Sequence, residues 1–286
     1  MYYQNVRGLK TKLSELRLSL AMSQYDVIVL TETWLDETVS DGELSFDGYQ
    51  IHRCDRDFAA TGKSQGGGVL ICVRFGIDCE VLHPSNLLQT CEELWLSLSV
   101  KGVVDIVGAI YIPPAADVSV YEQFCASVET FMQRFPAKRL LCCGDFNLPG
   151  ISWTNDCLGV NCVGANGVSR PFIECLSYLN LFQKNVTPNI YGTTLDLMLT
   201  NCDDLCCDIA ACVLLKCDNY HPALECAYIS DLENILITDE LSFNFSMAEY
   251  DQIEAALCNI SWDSLFFYYM HQKPSLSVHC CGLCCP

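Results

Sequence analysis

At five places along this chain a short apolar run stops on isolated polar residues, and at a sixth an aspartate lies inside such a run. Asn5 follows Tyr2-Tyr3-Gln4, Glu32 follows Val27-Ile28-Val29-Leu30-Thr31, and Tyr111 closes residues 103–111. Asp145 and Asn147 follow Arg139-Leu140-Leu141-Cys142-Cys143-Gly144. Asp218 and His221 sit in Leu214-Leu215-Lys216-Cys217-Asp218-Asn219-Tyr220-His221-Pro222-Ala223-Leu224, and Asp196 lies within residues 194–200. An ionised carboxylate in an apolar strand costs free energy unless a partner charge or a metal accompanies it. One such residue is an oddity, but six at equivalent positions point to a shared site assembled from strand ends.

The rest of the patterning says what carries those ends. Continuous apolar runs such as residues 25–31 suit strands buried on both faces. Residues 92–100 alternate and read as a strand, and further strands are expected over 2–6, 48–53, 69–74, 103–111, 139–143, 194–200, 210–215 and 223–228. Leucines at 13, 16 and 20 predict a helix over 11–22, and helices are also expected over 120–133 and 171–179. Several strand pairs are joined by segments too short for a crossover helix. That favours an α/β sandwich of mixed sheets over a doubly wound parallel sheet. Residues 1–230 read as one domain. Residues 231–286 read as an appendage, the start of an inter-domain linker followed by an irregular Cys-rich tail.

Composition narrows the class. With 51% hydrophobic and 18% charged residues, the chain belongs with packed globular proteins. It has neither an uninterrupted apolar stretch of about 18 residues nor an apolar signal core, so no membrane span is expected and an intracellular setting is. The 21 cysteines occupy positions that suit small apolar residues, as at Cys72 and Cys142-Cys143, and read as buried thiols. The pairs Cys280-Cys281 and Cys284-Cys285 would suit zinc only if all four faced one ion, and no partner pair is evident. Gly66-Gly67-Gly68 reads as a close-packed turn, because it lacks the form of a phosphate loop. Trp34, Trp95 and Trp153 read as core aromatics.

The net charge of −19 is unfavourable for binding a polyanion. Half of the 16 Lys and Arg lie in residues 1–74, against 10 of the 35 acids. A polyanion-facing surface would therefore draw on Arg7, Lys10, Lys12, Arg53, Arg56 and Lys63.

The residue types suit phosphodiester hydrolysis. A hard divalent cation, Mg²⁺ or Mn²⁺, takes oxygen ligands such as Glu32. Asp145 suits the activation of a water. An Asp196–His221 pair could stabilise the charge that develops on the phosphate. Asn5, Asn147 and Tyr111 can hydrogen-bond phosphate oxygens without adding negative charge.

The order Asn5, Glu32, Tyr111, Asp145-x-Asn147, Asp196, Asp218, His221 resembles the endonuclease/exonuclease/phosphatase superfamily. Within it, QNVRGLKTK, LTETWL, GGGVLI, EELWLSL, YIPP, GDFNLPGISW, LDLMLTN and DNYHPAL resemble the endonuclease domain of non-LTR, LINE-type retrotransposons, jockey-like elements above all. The likeness spans roughly residues 1–230, and FNFSMAEYDQIEAALCNISWDSLF resembles the segment that follows that domain. It implies a DNase I-like, four-layered α/β sandwich of two mixed β-sheets flanked by helices. It also implies a Mg²⁺-dependent endonuclease that nicks double-stranded DNA, acting as a monomer in the nucleus. By the same resemblance Glu32 is the principal metal ligand, with Asp218 and Asn5 close by. Asp145 activates the water, Asn147 and Tyr111 meet the phosphate, and Asp196 orients His221. Thr193, Arg7 and Arg53 are expected to touch substrate. Cys217 stands where the family commonly has Ser, and Asn219-Tyr220 separate Asp218 from His221. Met1 falls only four residues before Asn5, and no reverse transcriptase follows. The alternatives are an inactive or domesticated element fragment, or another phosphoesterase of the superfamily.

Overall fold

The computed structural model describes residues 1–228 apart from 64, 85–90, 101, 157–158, 164–166 and 168. All described elements fall within the unit Met1–Leu236. The appendage, its boundary at 230 and the Cys-rich tail lie outside the described residues.

The strands are β1 (Tyr2–Asn5), β2 (Val27–Thr31), β3 (Tyr49–Cys54), β4 (Val69–Arg74), β5 (Asp78–Leu82), β6 (Glu92–Val100) and β7 (Val103–Tyr111), followed by β8 (Arg139–Asp145), β9 (Ser152–Asp156), β10 (Gly159–Val163), β11 (Phe182–Gln183), β12 (Asp196–Thr200), β13 (Leu205–Ile209) and β14 (Leu224–Tyr228). Helices α1 (Leu13–Ala21), α2 (Phe58–Thr61), α3 (Val118–Arg134) and α4 (Ser169–Tyr178) interrupt them. Helix α3 begins two residues before its expected start because the Asp117 side chain accepts from the Ser119 N–H and caps it.

Two six-stranded sheets form, the first in the order β13-β14-β1-β2-β4-β3 and the second in the order β11-β12-β8-β7-β6-β5. Each contains one parallel pair, β1 with β2 and β7 with β8, among antiparallel neighbours. The sheets pack face to face through Tyr3, Val29, Val69 and Ile71 from the first and Leu96, Val107, Cys143 and Met198 from the second. Leu16 and Leu20 of α1 cover the outer face of the first sheet. Phe124, Phe131 and Phe172 of α3 and α4 cover the outer face of the second, with Trp95 at van der Waals range of Phe131. The result is the expected four-layered α/β sandwich of mixed sheets.

Three expectations need correction. Strand β8, expected over 139–143, runs on to Asp145, because the ladder pairs Asp145 with both Tyr111 and Asp196. The predicted strand over 210–215 is a loop, and β13 lies just before it. Ala210, Leu214 and Leu215 are buried as a strand's residues would be, but they plug the core from a turn. Cys72, Cys91, Cys142, Cys143 and Cys226 are buried free thiols as expected, whereas Cys125 of α3 and Cys175 of α4 form a disulfide.

Candidate active site

The second sheet sets four polar residues in one row. Asp196 of β12 lies opposite Asp145 of β8, Asp145 opposite Tyr111 of β7, and Tyr111 opposite Glu92 of β6. Residues in register across adjacent strands share a face at a spacing of about 5 Å. That face is turned toward the first sheet. Asp145 and Asp196 are each only 2% exposed. Gly144 permits the row, since a Cβ there would lie 1.9 Å from the Ile110 carbonyl oxygen.

The first sheet answers with side chains from β1 and from the loop after β2. Tyr3 and Asn5 alternate onto one face of β1. The Tyr3 hydroxyl donates to Asp196 Oδ1 at 2.6 Å and lies 3.1 Å from Thr31 Oγ1. Asn5 Nδ2 donates to Asp145 Oδ2 at 3.0 Å. Glu32 follows β2 at φ 55, a left-handed conformation uncommon for this residue. Its carboxylate accepts from the Trp34 indole N–H and acts electrostatically on the Tyr111 phenol. Burial, and then Glu32, push the Tyr111 phenol far up. Tyr111 is held in turn by Arg56, whose guanidinium lies 5.3 Å from the ring centroid and forks onto Glu92 at 2.5 and 3.2 Å. The glycine triplet closes over this arginine: a Cβ on Gly67 would fall 2.5 Å from the guanidinium. This is the close-packed turn that the sequence suggested.

His221 enters from the turn before β14. Asp218 Oδ1 accepts from the Tyr220 N–H at 2.7 Å and the His221 N–H at 2.9 Å, which fixes that turn. His221 Nδ1 then meets Asp196 Oδ2 at 2.9 Å, and Nε2 lies 3.9 Å from Asp145 Oδ2. Burial opposes charge on the imidazole, yet Asp196, Asp145 and Asp218 outweigh it and lift His221 to about 9. Burial, reinforced by Asp196, lifts Asp145 to about 8, with His221 and the Asn147 N–H working against the rise. The site thus holds an imidazolium, its aspartate partner, and a second aspartate that takes up negative charge reluctantly.

Of the residues expected in the site, Asn5, Glu32, Tyr111, Asp145, Asn147, Asp196 and His221 come together. Asn147, at φ 48, gives its N–H to Asp145 Oδ1 at 3.1 Å and its side-chain amide to the Ile112 carbonyl at 2.9 Å. Asp218 does not join the group formed by Asp145, Asp196 and His221, because its Oδ2 pairs with Arg7 Nε at 2.7 Å. Thr193 is tied through its backbone to Asn189. Arg53 is taken up by Asp41 and Asp55 at 3.3 and 3.6 Å. Arg56 is buried against Glu92 instead of facing a polyanion. Trp34 lies outside the core and bonds Glu32 at the edge of a cleft of about 360 Å³, lined by Arg7, Lys10, Phe58 and Gln65 among others. Tyr3, Trp34 and the Arg56–Glu92 pair are the functional neighbours that the sequence did not reveal. Only Tyr3 carried a signal, its two-residue offset from Asn5 on one strand.

The buried Asp145–Asp196–His221 group could hold a metal ion. The donors suit a hard cation: Asp145 and Glu32 offer carboxylate oxygens, and Asn5 an amide beside them. The rise of Asp145 to about 8 marks negative charge short of compensation, which a cation would supply.

A family described as the Endonuclease/Exonuclease/phosphatase family matches residues 3–201. No curated protein matches. Among solved structures, the endonuclease domain of TRAS1, a telomere-specific non-LTR retrotransposon, superposes with a TM-score of 0.55 at 12% identity, covering 79% of this chain and 96% of that one. The 3′ phosphatase NExo from Neisseria, bound to a product DNA hairpin, gives 0.53 at 19% identity over 80% and 99%. The AP endonuclease LMAP from Leishmania major gives 0.54 at 16% identity over 79% and 87%. These identities speak to the fold alone.

Proposed function

Since the chain belongs to the endonuclease/exonuclease/phosphatase family, whose members hydrolyse phosphate esters, we propose that it is a divalent-metal-dependent endonuclease that nicks one strand of double-stranded DNA, the cleavage module of a non-LTR retrotransposon. The observation that carries this reading is the Asp196–His221–Asp145 chain, a histidine oriented by one aspartate and turned 3.9 Å from a second. It sets a charged hydrogen-bond donor beside a carboxylate base, so that both would reach one phosphate group and the water attacking it.

Glu32, Asp145 and Asn5 would hold Mg²⁺ or Mn²⁺, and the ion would neutralise the phosphate and lower the cost of ionising Asp145. Asp145 would take the proton of the attacking water. His221, charged by its three aspartate neighbours, would donate from Nε2 to a phosphate oxygen as charge develops there. Asp196, anchored by Tyr3, keeps Nδ1 protonated and the ring oriented. Tyr111 and Asn147 would help place the phosphate. The protein would act as a monomer in the nucleus. Among the described residues no helix is long and apolar enough to cross a membrane.

Purified protein with Mg²⁺ should convert supercoiled plasmid to the relaxed form, and Glu32→Ala, Asp145→Ala and His221→Ala should each abolish this. A folded wild-type protein that leaves plasmid intact with both Mg²⁺ and Mn²⁺ sinks the proposal. One observation favours a second reading. A net charge of −19, with Arg53 and Arg56 committed to acids, suits a small phosphorylated substrate better than a long polyanion. Release of phosphate from an inositol phosphate, without nicking, would decide for that reading.

A further inference from the structure

The loop that delivers His221 is the long connection of a hairpin, and two cysteines face each other at the base of that hairpin. Strands β13 and β14 pair in antiparallel register, with Cys207 opposite Cys226 and Ile209 opposite Leu224. The Ala210 N–H then donates to the Ala223 carbonyl at 2.9 Å, and residues 210–223 leave the sheet. Side chains hold that loop. Gln4 Nε2 donates to the Leu215 carbonyl at 2.8 Å, the Tyr2 hydroxyl accepts from the Leu214 N–H at 3.1 Å, and Glu225 Oε2 accepts from the Ala211 N–H at 3.2 Å. Both cysteines are free thiols, Cys226 buried and Cys207 half-buried, in the small apolar cluster around Leu205 and Tyr228.

Backbone hydrogen bonding fixes how close the two residues stand. The Cys226 N–H donates to the Met1 carbonyl at 2.9 Å, and the Met1 amine donates to the Cys226 carbonyl at 2.7 Å. Both backbone groups of Cys226 thus point to β1, and neither is left for β13. Cys207 and Cys226 therefore form a non-hydrogen-bonded pair, the narrow kind, in which Cα atoms stand about 4.5 Å apart and the side chains share one face. A disulfide spans Cα separations of about 4.4–6.8 Å, so this pair already lies within reach of the bond. The neighbouring Cys206 lies opposite Ala227 and points to the other face of the sheet.

We propose that Cys207 and Cys226 are a redox-active thiol pair that a small-molecule disulfide oxidises to a cross-strand disulfide, stapling the base of the loop that carries Asp218 and His221. Cys207, the more accessible of the two, attacks one sulfur of the reagent as a thiolate and displaces one thiol. Cys226 then attacks the Cys207 sulfur of the mixed disulfide and displaces the second. The two protons given up by the protein go to the two released thiols, and two electrons pass to the reagent. Burial pushes both cysteine thiols up, Cys226 to about 11, so the exchange is slow near neutral pH, as suits a lasting staple rather than a fast sensor. Formation of the staple does not depend on the reaction that His221 serves.

The whole chain, reduced and then freed of reductant, is incubated with oxidised glutathione at about pH 8.5, where more thiolate is present, then capped with iodoacetamide and digested for peptide mapping. Wild type should give peptides that join Cys207 to Cys226, two hydrogens lighter than the reduced pair. Cys207→Ser and Cys226→Ser should each abolish that link, and Cys206→Ser should keep it. Oxidation should slow amide hydrogen exchange in residues 210–223 by about tenfold and raise the melting temperature by about 5 °C, and Cys207→Ser should lose both gains. Position 207 is half-buried, so Cys207→Ser should fold as the wild type does and tests the link even where Cys226→Ser does not fold. Recovery of both residues in capped form after prolonged oxidation, or a link from either of them to Cys143 or Cys206 instead, overturns the pair. A link that forms without slowing exchange in residues 210–223 overturns the staple.

Discussion

The second sheet fixes its share of the site in register. Asp196, Asp145 and Tyr111 are ladder residues, set side by side by backbone pairing and buried between the sheets. The first sheet holds part of its share just beyond strand ends. Glu32 sits at positive φ after β2, and His221 hangs from an Asp218-capped turn before β14. A ladder position cannot shift without breaking its pairing, so its chemistry is fixed by topology. A loop position depends on a few side-chain hydrogen bonds and can be adjusted one bond at a time. The site therefore has a rigid floor and a tunable wall, joined by the contacts from Tyr3 and Asn5.

The largest effect should come from the floor. Asp145→Ala removes the proposed base and should lower nicking by about a thousandfold while circular dichroism stays native. Residual activity within tenfold of wild type would show that the base lies elsewhere. Gly144→Ala attacks the ladder itself, because its Cβ would lie 1.9 Å from the Ile110 carbonyl oxygen. It should cost about 1–3 kcal/mol, seen as a lower midpoint in urea. An unchanged midpoint would mean that the β7–β8 pair is looser than the register implies.

Tyr3→Phe cuts one of these two contacts between the sheets without opening a cavity. Loss of a hydrogen bond to a buried carboxylate should lower kcat/KM about tenfold, through the orientation of His221, and should cost about 1–3 kcal/mol of stability. A large fall in melting temperature with intact kinetics would make Tyr3 a structural residue only.

The smallest effect is a dependence on pH. Without an ion, Asp145 keeps its proton up to about 8 in the folded chain. Unfolded, it releases the proton near the ordinary carboxylate value of about 4. Its contribution to stability is therefore full below about pH 4 and is lost as pH rises through 8. His221 slopes the same way: its contribution is full below about 6.5 and is lost as pH rises through about 9. A cation that needs an ionised Asp145 competes with the proton, so the rise in melting temperature caused by Mg²⁺ should grow between about pH 6 and 8. An increment that is flat or falling over that range would place the ion away from Asp145.

Much of this arrangement was legible in the chain. Strands such as β6 and β7 could be bounded from alternation and apolar runs, because burial on a sheet face selects side chains with a period of two. The polar residues at strand ends stood out for the complementary reason, that burying them unaided is costly. The loop at 210–215 was misread because burial alone does not distinguish a strand from a plug. Arg56 was misread because a sequence shows charge but not what neutralises it. Trp34 was placed in the core because an aromatic ring reads the same whether it fills space or bonds a carboxylate.

The sequence by itself determined which side chains could do the chemistry and that they belonged at strand ends, since composition and periodicity are local properties. Only the tertiary structure decided which of them meet. The Asp196–His221 pair that the sequence suggested does form, but Asp218 turned to Arg7, and Tyr3 reached Asp196 across 193 positions of chain. Those choices depend on sheet order and register, which arise when distant strands pair and which no local pattern encodes.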